Sequence, residues 1–302
     1  MSDISHVRTP DECFSDLPGY PWQPRYTTAQ PSLRGLRLHY LVEGPRDAPC
    51  TWLCLHGNPA WSYLYRHMIP EFLAAGHRVV APDMPGYGKS DKPTDVAQHT
   101  FEWHRRVLLE VVEALDLSAV NLVVQDWGGL LGLTLPIAEP RRYRGLLIMN
   151  TALATAEEPL PDGFKQWRTM CRSKPDFSIG KLFARGNPQL SEAECAAYDA
   201  PFPTGEYRAA TRAFPDRVPE FPTDEGVDIS RRAAKFWAQE WQGRSLMAIG
   251  AQDPVFTVAH MQRVRQGIRG CPQPMIVEDA GHFVQERGAP IAREALRMLG
   301  SA

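Results

Sequence analysis

The chain has 302 residues, and its 43% apolar and 23% charged side chains exclude a fibrous or disordered protein. Its 33 basic and 35 acidic residues nearly cancel, so the basic excess typical of nucleic-acid-binding proteins is absent. Residues 1–20 contain four carboxylates and no apolar segment, and no signal peptide is predicted there. No run of about 18 apolar residues occurs, so no transmembrane helix is predicted.

Six cysteines are scattered along the chain without a C-x-x-C pair, which argues against a zinc site or a disulfide scaffold. We expect free thiols in a reducing compartment, and therefore a cytoplasmic protein. No H-E-x-x-H motif occurs, and neither a metal nor another cofactor is predicted. The expected partners are a small-molecule substrate, water and no macromolecule, neither nucleic acid nor membrane, and we expect a monomer.

Short strand-like runs alternate with helical stretches, which is the pattern of β-α-β units. Most runs are apolar with little alternation, as expected for strands buried on both faces of a parallel sheet. The runs span residues 36–42, 51–55, 78–81, 121–124, 145–149, 245–249 and 275–277. Residues 101–117 carry apolar side chains at helical spacing and predict a helix, which Thr100 is placed to cap.

The regular alternation stops near residue 154 and resumes at residue 245. Between them, residues 155–228 combine helical patches with many prolines and aromatic side chains. We therefore predict an α/β fold with a mostly parallel central sheet flanked by helices and a helical cap domain inserted into it. The core domain would comprise residues 1–154 and 229–302. An insertion after the carboxyl end of a strand lies over the place where open α/β sheets bind ligands.

The run 121–124 leads into one acidic residue, Asp126, followed by the small-residue turn Gly128-Gly129 and an apolar helix. This is the context of a nucleophile elbow, a strained turn that presents one side chain at the end of a strand. A carboxylate in that position needs no base, because it is already ionised at pH 7. An aspartate that only caps the next helix is the alternative, which the flanking glycines and the partner residues outweigh.

Three further motifs follow the ends of other predicted strands. The sequence H-G-N-P at residues 56–59 follows the run 51–55, and the backbone N–H of Asn58 can form an oxyanion hole with that of Trp127. Asp253 and His282 each follow a later run. The order nucleophile, acid, histidine is that of α/β-hydrolase triads, so we predict Asp253 as the acid that orients the histidine and His282 as the general base.

Two other enzyme classes are excluded by their motifs. Residues 86–90, G-Y-G-K-S, look like the end of a phosphate-binding loop, but Asp83 stands where that loop requires its first glycine. No G-x-S-x-G motif occurs, which argues against a serine esterase. We therefore interpret residues 86–90 as an ordinary loop.

The sequence resembles the haloalkane dehalogenases of the α/β-hydrolase superfamily over nearly its whole length. The H-G-N-P and D-W-G-G motifs are shared with epoxide hydrolases, whereas the cap segments 162–167, 191–194 and 198–203 are more specific. They resemble the branch typified by the dichloroethane dehalogenase of Xanthobacter, and Asn150 fits that branch too. Asn58 is a departure, because the type member has a glutamate there, but the oxyanion role needs only its backbone N–H.

The resemblance implies an α/β-hydrolase fold and a halogenated alkane as substrate. Its products would be a primary alcohol, a halide and a proton, formed through an alkyl ester of Asp126. The indole N–H groups of Trp127 and Trp167 would bind the halide, because an indole donates without an acceptor lone pair that repels the ion. The implied apolar pocket consists of Leu130, Phe164, Phe214, Pro215, Val218, Val255, Phe256 and Phe283.

Three alternatives remain at this stage. An epoxide hydrolase would use the same triad and would activate the epoxide oxygen with cap tyrosines, for which Tyr198 and Tyr207 are available. A fluoroacetate dehalogenase would need an arginine beside the nucleophile, where Trp127 stands. A ligand-binding receptor on a hydrolase scaffold is disfavoured because all three predicted triad residues are present.

Overall fold

The structure is a computed structural model that describes residues 3–300; residues 1, 2, 301 and 302 of the predicted core domain lie outside the described residues. The strands are β1 (His6–Val7), β2 (Arg25–Thr27), β3 (Leu38–Glu43), β4 (Thr51–Leu55), β5 (Arg78–Pro82), β6 (Lys92–Pro93), β7 (Val120–Val124), β8 (Tyr143–Met149), β9 (Arg244–Gly250) and β10 (Met275–Val277). The α-helices are α1 (Ile69–Ala74), α2 (Phe101–Ala114), α3 (Asp126–Gly132), α4 (Asp162–Ser173), α5 (Ile179–Gly186), α6 (Glu192–Asp199), α7 (Ala209–Arg217), α8 (Val227–Lys235), α9 (Val258–Gln266) and α10 (Gly288–Leu299).

Eight of the strands form one sheet in the order β10-β9-β8-β7-β4-β5-β3-β2. The strands from β10 to β5 are parallel, whereas β3 and β2 are antiparallel to their neighbours. In the middle of the sheet Leu53 pairs with Leu122, and Leu122 pairs with Leu146. Every residue of β4 and β7 is buried, which explains why these strands read as continuous apolar runs. The predicted mostly parallel sheet is confirmed.

All seven predicted runs are strands, with ends within two residues of those expected. Three short strands were not predicted, namely β1, β2 and β6. β1 pairs with β6 through His6 and Pro93, which are far apart in sequence, and neither strand is long enough to show a pattern. The predicted helix after Thr100 ends at Ala114 rather than at residue 117, because Asp116 adopts a left-handed φ of 43°. Thr100 caps it as predicted, with its hydroxyl accepting the Trp103 N–H at 3.2 Å.

The chain between β8 and β9 contains the helices α4 to α8 and no strand. The predicted domain boundary at residue 228 falls inside α8, because Gly226, with a φ of 91°, allows that helix to begin at Val227. The amino end of α4 lies against the loop after β9: a Cβ on Gly163 would be 2.1 Å from the carbonyl oxygen of Pro254. The helical segment therefore reaches the carboxyl edge of the sheet. Its division from the core as a cap domain stays a prediction.

Candidate active site

Asp126 occupies a sharp turn between β7 and α3. Its φ of 49° lies in the left-handed region, which is strained for a residue other than glycine. The Asp126 N–H donates to the carbonyl of Asn150 at 3.1 Å, and the Thr151 hydroxyl donates to the Asp126 carbonyl at 2.6 Å. Gly128 is required behind the turn, since a Cβ there would lie 2.0 Å from the carbonyl oxygen of Leu55. The turn has the geometry of a nucleophile elbow.

The loop after β4 supplies a hydrogen-bond donor to the same carboxylate. The backbone N–H of Asn58 donates to Oδ1 of Asp126 at 2.6 Å. Gly57 permits this approach, because a Cβ on it would lie 2.2 Å from that oxygen. Trp127 is the second residue of α3, and the N–H of a residue in the first turn has no acceptor within its own helix. The two predicted oxyanion donors thus flank Asp126.

The structure brings the three predicted triad residues together. Nδ1 of His282 lies 2.7 Å from Oδ2 of Asp253, and Nε2 of His282 lies 3.5 Å from Oδ2 of Asp126. The Asp253 side chain is fully buried, whereas those of Asp126 and His282 are each 18% exposed. His282 therefore stands between a buried carboxylate that orients it and an accessible carboxylate that a ligand can reach.

Neighbours on the sheet fix both Asp253 and His282. The Asn150 amide donates to Oδ2 of Asp253 at 2.9 Å, and the Val255 N–H donates to Oδ1 at 2.7 Å. Gln125, one residue before the nucleophile, donates from its amide to the His282 carbonyl at 3.1 Å. Sequence reasoning missed Gln125. The available signal was an uncharged polar side chain directly after the apolar residues 122–124 of β7.

The charges around His282 favour its protonated form. Burial by itself would lower the pKa of His282, but the charge of Asp253 and the hydrogen bonds to Asp126 and Asp253 outweigh burial and raise the pKa to about 10. Burial would likewise raise the pKa of Asp253, but the charge and hydrogen bond of His282 hold it below its ordinary value. The His282 side chain is therefore an imidazolium at neutral pH.

A cavity of about 630 Å³ is lined by Asp126 and Trp127 together with mainly apolar side chains. Five of the predicted pocket residues line it, namely Leu130, Phe164, Val218, Val255 and Phe256. Other apolar residues that were not predicted also line the cavity, namely Leu133, Leu153, Leu160, Ala234, Trp237, Ala238, Val264 and Ile268. Charged or titratable lining is contributed by Glu157, Glu158, His260 and Arg263. Such a composition suits an apolar ligand that meets a few polar groups.

Comparison of the whole chain with known proteins identifies its family. A family model described as the alpha/beta hydrolase fold matches residues 53–289. A haloalkane dehalogenase of Psychrobacter cryohalolentis is 40% identical over 97% of this chain and 97% of its own length. One of Mycolicibacterium paratuberculosis is 40% identical over 96% of this chain and 97% of its own length. The chain belongs to the haloalkane dehalogenase family.

A solved structure agrees with this membership. The haloalkane dehalogenase DpaA from Paraglaciecola agarilytica NO2, described as tetrameric, matches with a TM-score of 0.95 and 44% identity, covering 97% of this chain and 98% of that one. The α/β-hydrolase fold and the resemblance to haloalkane dehalogenases are therefore confirmed. Among residues 3–300, no helix combines the length and apolarity needed to cross a membrane. Within the same range, no group of three or more His, Cys, Asp or Glu side chains is placed to hold a metal ion.

The tryptophans of this haloalkane dehalogenase differ in what their indole N–H groups contact. Five of the eight donate to a protein acceptor, namely Trp52, Trp61, Trp103, Trp237 and Trp241. Trp127 and Trp167 are among the three that donate to none of the described residues. Trp127 lines the cavity beside Asp126, whereas Trp167, on α4, packs edge-on against Phe177 at 5.5 Å and is not in the cavity lining. The halide-binding role of both indoles stays a prediction.

Three predicted pocket residues lie outside the cavity lining. Phe214 stacks on the indole of Trp127 with ring centroids 4.3 Å apart, and Phe283 packs edge-on against His282 at 5.0 Å. Pro215 is buried within α7. Phe214 and Phe283 thus contact a predicted halide donor and the predicted general base, respectively. The role of all three as pocket residues stays a prediction.

The cap tyrosines that an epoxide hydrolase would need are placed differently. The Tyr198 side chain is buried, and its hydroxyl donates to Glu286 and accepts from Arg66. Neither Tyr198 nor Tyr207 lines the cavity. No cap tyrosine is therefore positioned beside the nucleophile, which removes the feature that kept the epoxide hydrolase alternative open.

Proposed function

We propose that this haloalkane dehalogenase cleaves the carbon–halogen bond through an ester of Asp126. Oδ1 of Asp126 accepts the Asn58 N–H at 2.6 Å, which leaves Oδ2 to attack the halogen-bearing carbon. The new bond joins Oδ2 to that carbon, and the electron pair of the broken carbon–halogen bond leaves with the halide. No base is needed, because the attacking group is already an anion.

Hydrolysis of the ester uses the other residues of the triad. His282, oriented by Asp253, takes a proton from a water molecule as that water attacks the ester carbonyl carbon of Asp126. Oδ1 then becomes the oxyanion and is stabilised by the N–H groups of Asn58 and Trp127. Collapse of this intermediate breaks the bond between Cγ and Oδ2, and the alcohol leaves with the proton of the new hydroxyl. The carboxylate is restored, and the second proton of the water stays on His282. The supporting observation is the position of His282, 2.7 Å from Asp253 and 3.5 Å from Oδ2 of Asp126.

The departing halide needs donors in a cavity of largely apolar lining. The free indole N–H of Trp127 is adjacent to the nucleophile and is our first candidate for the halide site. Trp167 also lacks an acceptor among the described residues, and we propose it as the second donor. The apolar walls would hold the alkyl chain of the substrate.

The direct test is a paired assay of two substrates with the purified protein. We expect stoichiometric bromide and 1-butanol from 1-bromobutane and little diol from styrene oxide. 1,2-Dibromoethane serves as a second halogenated substrate. Diol formation from styrene oxide without halide release from either bromoalkane would favour the epoxide hydrolase and contradict the proposal.

We further propose that the protein acts in the cytoplasm as a monomer. In the described part of the chain all six cysteines are free, which fits a reducing compartment. Val96 and Phe221 are the large apolar side chains exposed among residues 3–300, so no broad apolar patch requires a second copy. The DpaA structure is described as tetrameric, and light scattering coupled to size exclusion distinguishes the two assemblies for this chain.

A further inference from the structure

We infer that a cluster of three buried side chains, Arg66, Tyr198 and Glu286, together with the half-buried Glu194, positions His282 for hydrolysis of the ester and leaves alkylation of Asp126 untouched. We call these four residues the latch cluster. The inference rests on the two-step function proposed above. The residues of the latch cluster would act as positioning residues in hydrolysis of the ester and would have no part in its formation.

The centre of the latch cluster is a bidentate ion pair. Arg66 donates from its two terminal nitrogens to Oε1 and Oε2 of Glu286 at 2.8 and 2.7 Å. The two side chains are 1% and 0% exposed. Glu286 lies four residues after His282, in the single turn Val284–Arg287 that follows it. Arg66 therefore holds the turn next to the general base.

Helix α6 contributes the other half of the latch cluster. Glu194 accepts from Arg66 at 3.0 Å, and the Tyr198 hydroxyl accepts from Arg66 at 3.1 Å while donating to Glu286. Glu194 also belongs to a capping box with Ser191, which fixes the amino end of α6. The latch cluster thus joins the helical segment between β8 and β9 directly to the turn after His282.

A stack of aromatic rings runs beside these charges. Phe283 stacks on Phe183 of α5 with centroids 3.8 Å apart, and Phe183 stacks on Tyr198 at 3.5 Å. Phe283 also packs edge-on against the imidazole of His282 at 5.0 Å. Displacement of Tyr198 would therefore reach His282 through Phe183 and Phe283. Displacement of Glu286 would reach it through Phe283, whose carbonyl accepts the Glu286 N–H at 3.0 Å.

Stability alone does not account for this arrangement. Burying two charges removes them from water, and the attraction between them roughly offsets that cost, so buried ion pairs contribute little net stability. A displacement of about 1 Å at a reacting group, by contrast, costs about 10²-fold in rate. His282 must keep its 2.7 Å contact with Asp253 while it reaches a water molecule beside the ester. Asp126 attacks without His282, so only hydrolysis should depend on the latch cluster.

The test is single-turnover quenching with excess enzyme and 1-bromobutane, in which bromide reports alkylation and 1-butanol reports ester hydrolysis. For Glu286→Gln we expect the bromide rate to stay within about twofold of wild type, while 1-butanol formation slows at least about tenfold. Intact-mass spectrometry should then detect the butyl ester during turnover. Glu294→Gln, which breaks an exposed ion pair with Arg297 on α10, is the matched control and should change neither step.

Tyr198→Phe keeps the stack on Phe183 and removes only the hydroxyl, so it serves if Glu286→Gln does not fold. We expect it to slow 1-butanol formation about threefold without changing the bromide rate. Equal slowing of both steps, or no slowing of hydrolysis in a folded variant, would overturn the inference. His282→Phe, run in parallel, separates this outcome from a failure of the two-step function, because absence of its butyl adduct would reject the function itself.

Discussion

The carboxyl edge of the sheet and the helices between β8 and β9 enclose the same cavity by different means. The sheet edge supplies the charged groups, Asp126, Asp253 and His282, and holds them with hydrogen bonds from residues directly after the strands. The helical segment supplies apolar walls and is tied to the sheet edge by aromatic stacking and ion pairs. The reacting groups are thus held mainly by hydrogen bonds at the ends of the strands, whereas the groups that enclose them are held by stacking and ion pairs between elements.

The largest expected effect is the loss of the nucleophile at the sheet edge. Asp126→Ala leaves no group that can form the ester, and we expect kcat for 1-bromobutane to fall by about 10⁵-fold or more, as for other covalent nucleophiles. The fold should persist, because the side chain is partly exposed. Asp47→Ala, at an exposed loop position before β4, is the control and should keep wild-type activity. Substantial bromide release by Asp126→Ala would contradict the account.

A smaller effect is expected for Asp253→Asn, which keeps the shape of the side chain but removes the charge that orients His282. The amide no longer enforces the required tautomer, and by analogy with serine-enzyme triads hydrolysis should fall by about 10³- to 10⁴-fold. The first-turnover bromide release should fall far less. Quench measurements of bromide and 1-butanol separate the two steps. Slower bromide release with unchanged hydrolysis of the ester would contradict the role assigned to Asp253.

Trp127, which follows the sheet edge, and Trp167, in the helical segment, allow the contributions of the two regions to halide binding to be compared. Trp127→Phe removes a donor that already lines the cavity, and we expect a loss of about 2–4 kcal/mol in the alkylation barrier, or roughly 30- to 900-fold in rate. Its backbone N–H is retained, so ester hydrolysis should be little affected. Trp167→Phe should have the smaller effect, because Trp167 packs on Phe177 and is not in the cavity lining that Asp126 and Trp127 share.

Bromide quenching of tryptophan fluorescence checks both halide assignments. Each substitution should weaken apparent bromide binding, Trp127→Phe more than Trp167→Phe. Unchanged bromide binding and unchanged activity in Trp167→Phe would remove Trp167 from the halide site and leave Trp127 as the donor from the sheet edge.

The smallest expected effect concerns when the proton, one of the three products, is released relative to bromide and 1-butanol. In the free enzyme the pKa of His282 is raised to about 10, partly by Asp126, so the imidazole is protonated at pH 8. Alkylation removes the charge of Asp126 and should lower this pKa, so that His282 loses its proton as the halide leaves. We expect a pH indicator in weak buffer to report the proton together with bromide, before 1-butanol appears. Proton release that follows 1-butanol would show that His282 is already neutral in the free enzyme.

The sequence predicts most of the sheet because its parallel strands are apolar runs with local boundaries. The same locality applies to Asp126, Asp253 and His282, since each follows a strand that the pattern identifies. β1 and β6 could not be predicted, because each is two residues long and forms only through the other.

The parts of the site that escaped prediction depend on contacts across the chain. Arg66 and Glu286 are 220 residues apart, and neither belongs to a motif. The resemblance to haloalkane dehalogenases implied Phe214 as a pocket residue. Its stacking on Trp127 depends on how α7 approaches α3, which periodicity does not reveal. Contacts of this kind join parts of the chain that are distant in sequence, and local patterns do not reveal them.

The most direct test of the two-step account is His282→Phe exposed to 1-bromobutane and analysed by intact-mass spectrometry and peptide mapping. The account predicts about one bromide per active site, no further turnover, and a stable butyl group on the peptide containing Asp126. A folded variant that still quenches with bromide but shows neither the burst nor the adduct would contradict it, because His282 would then act before or during the first step.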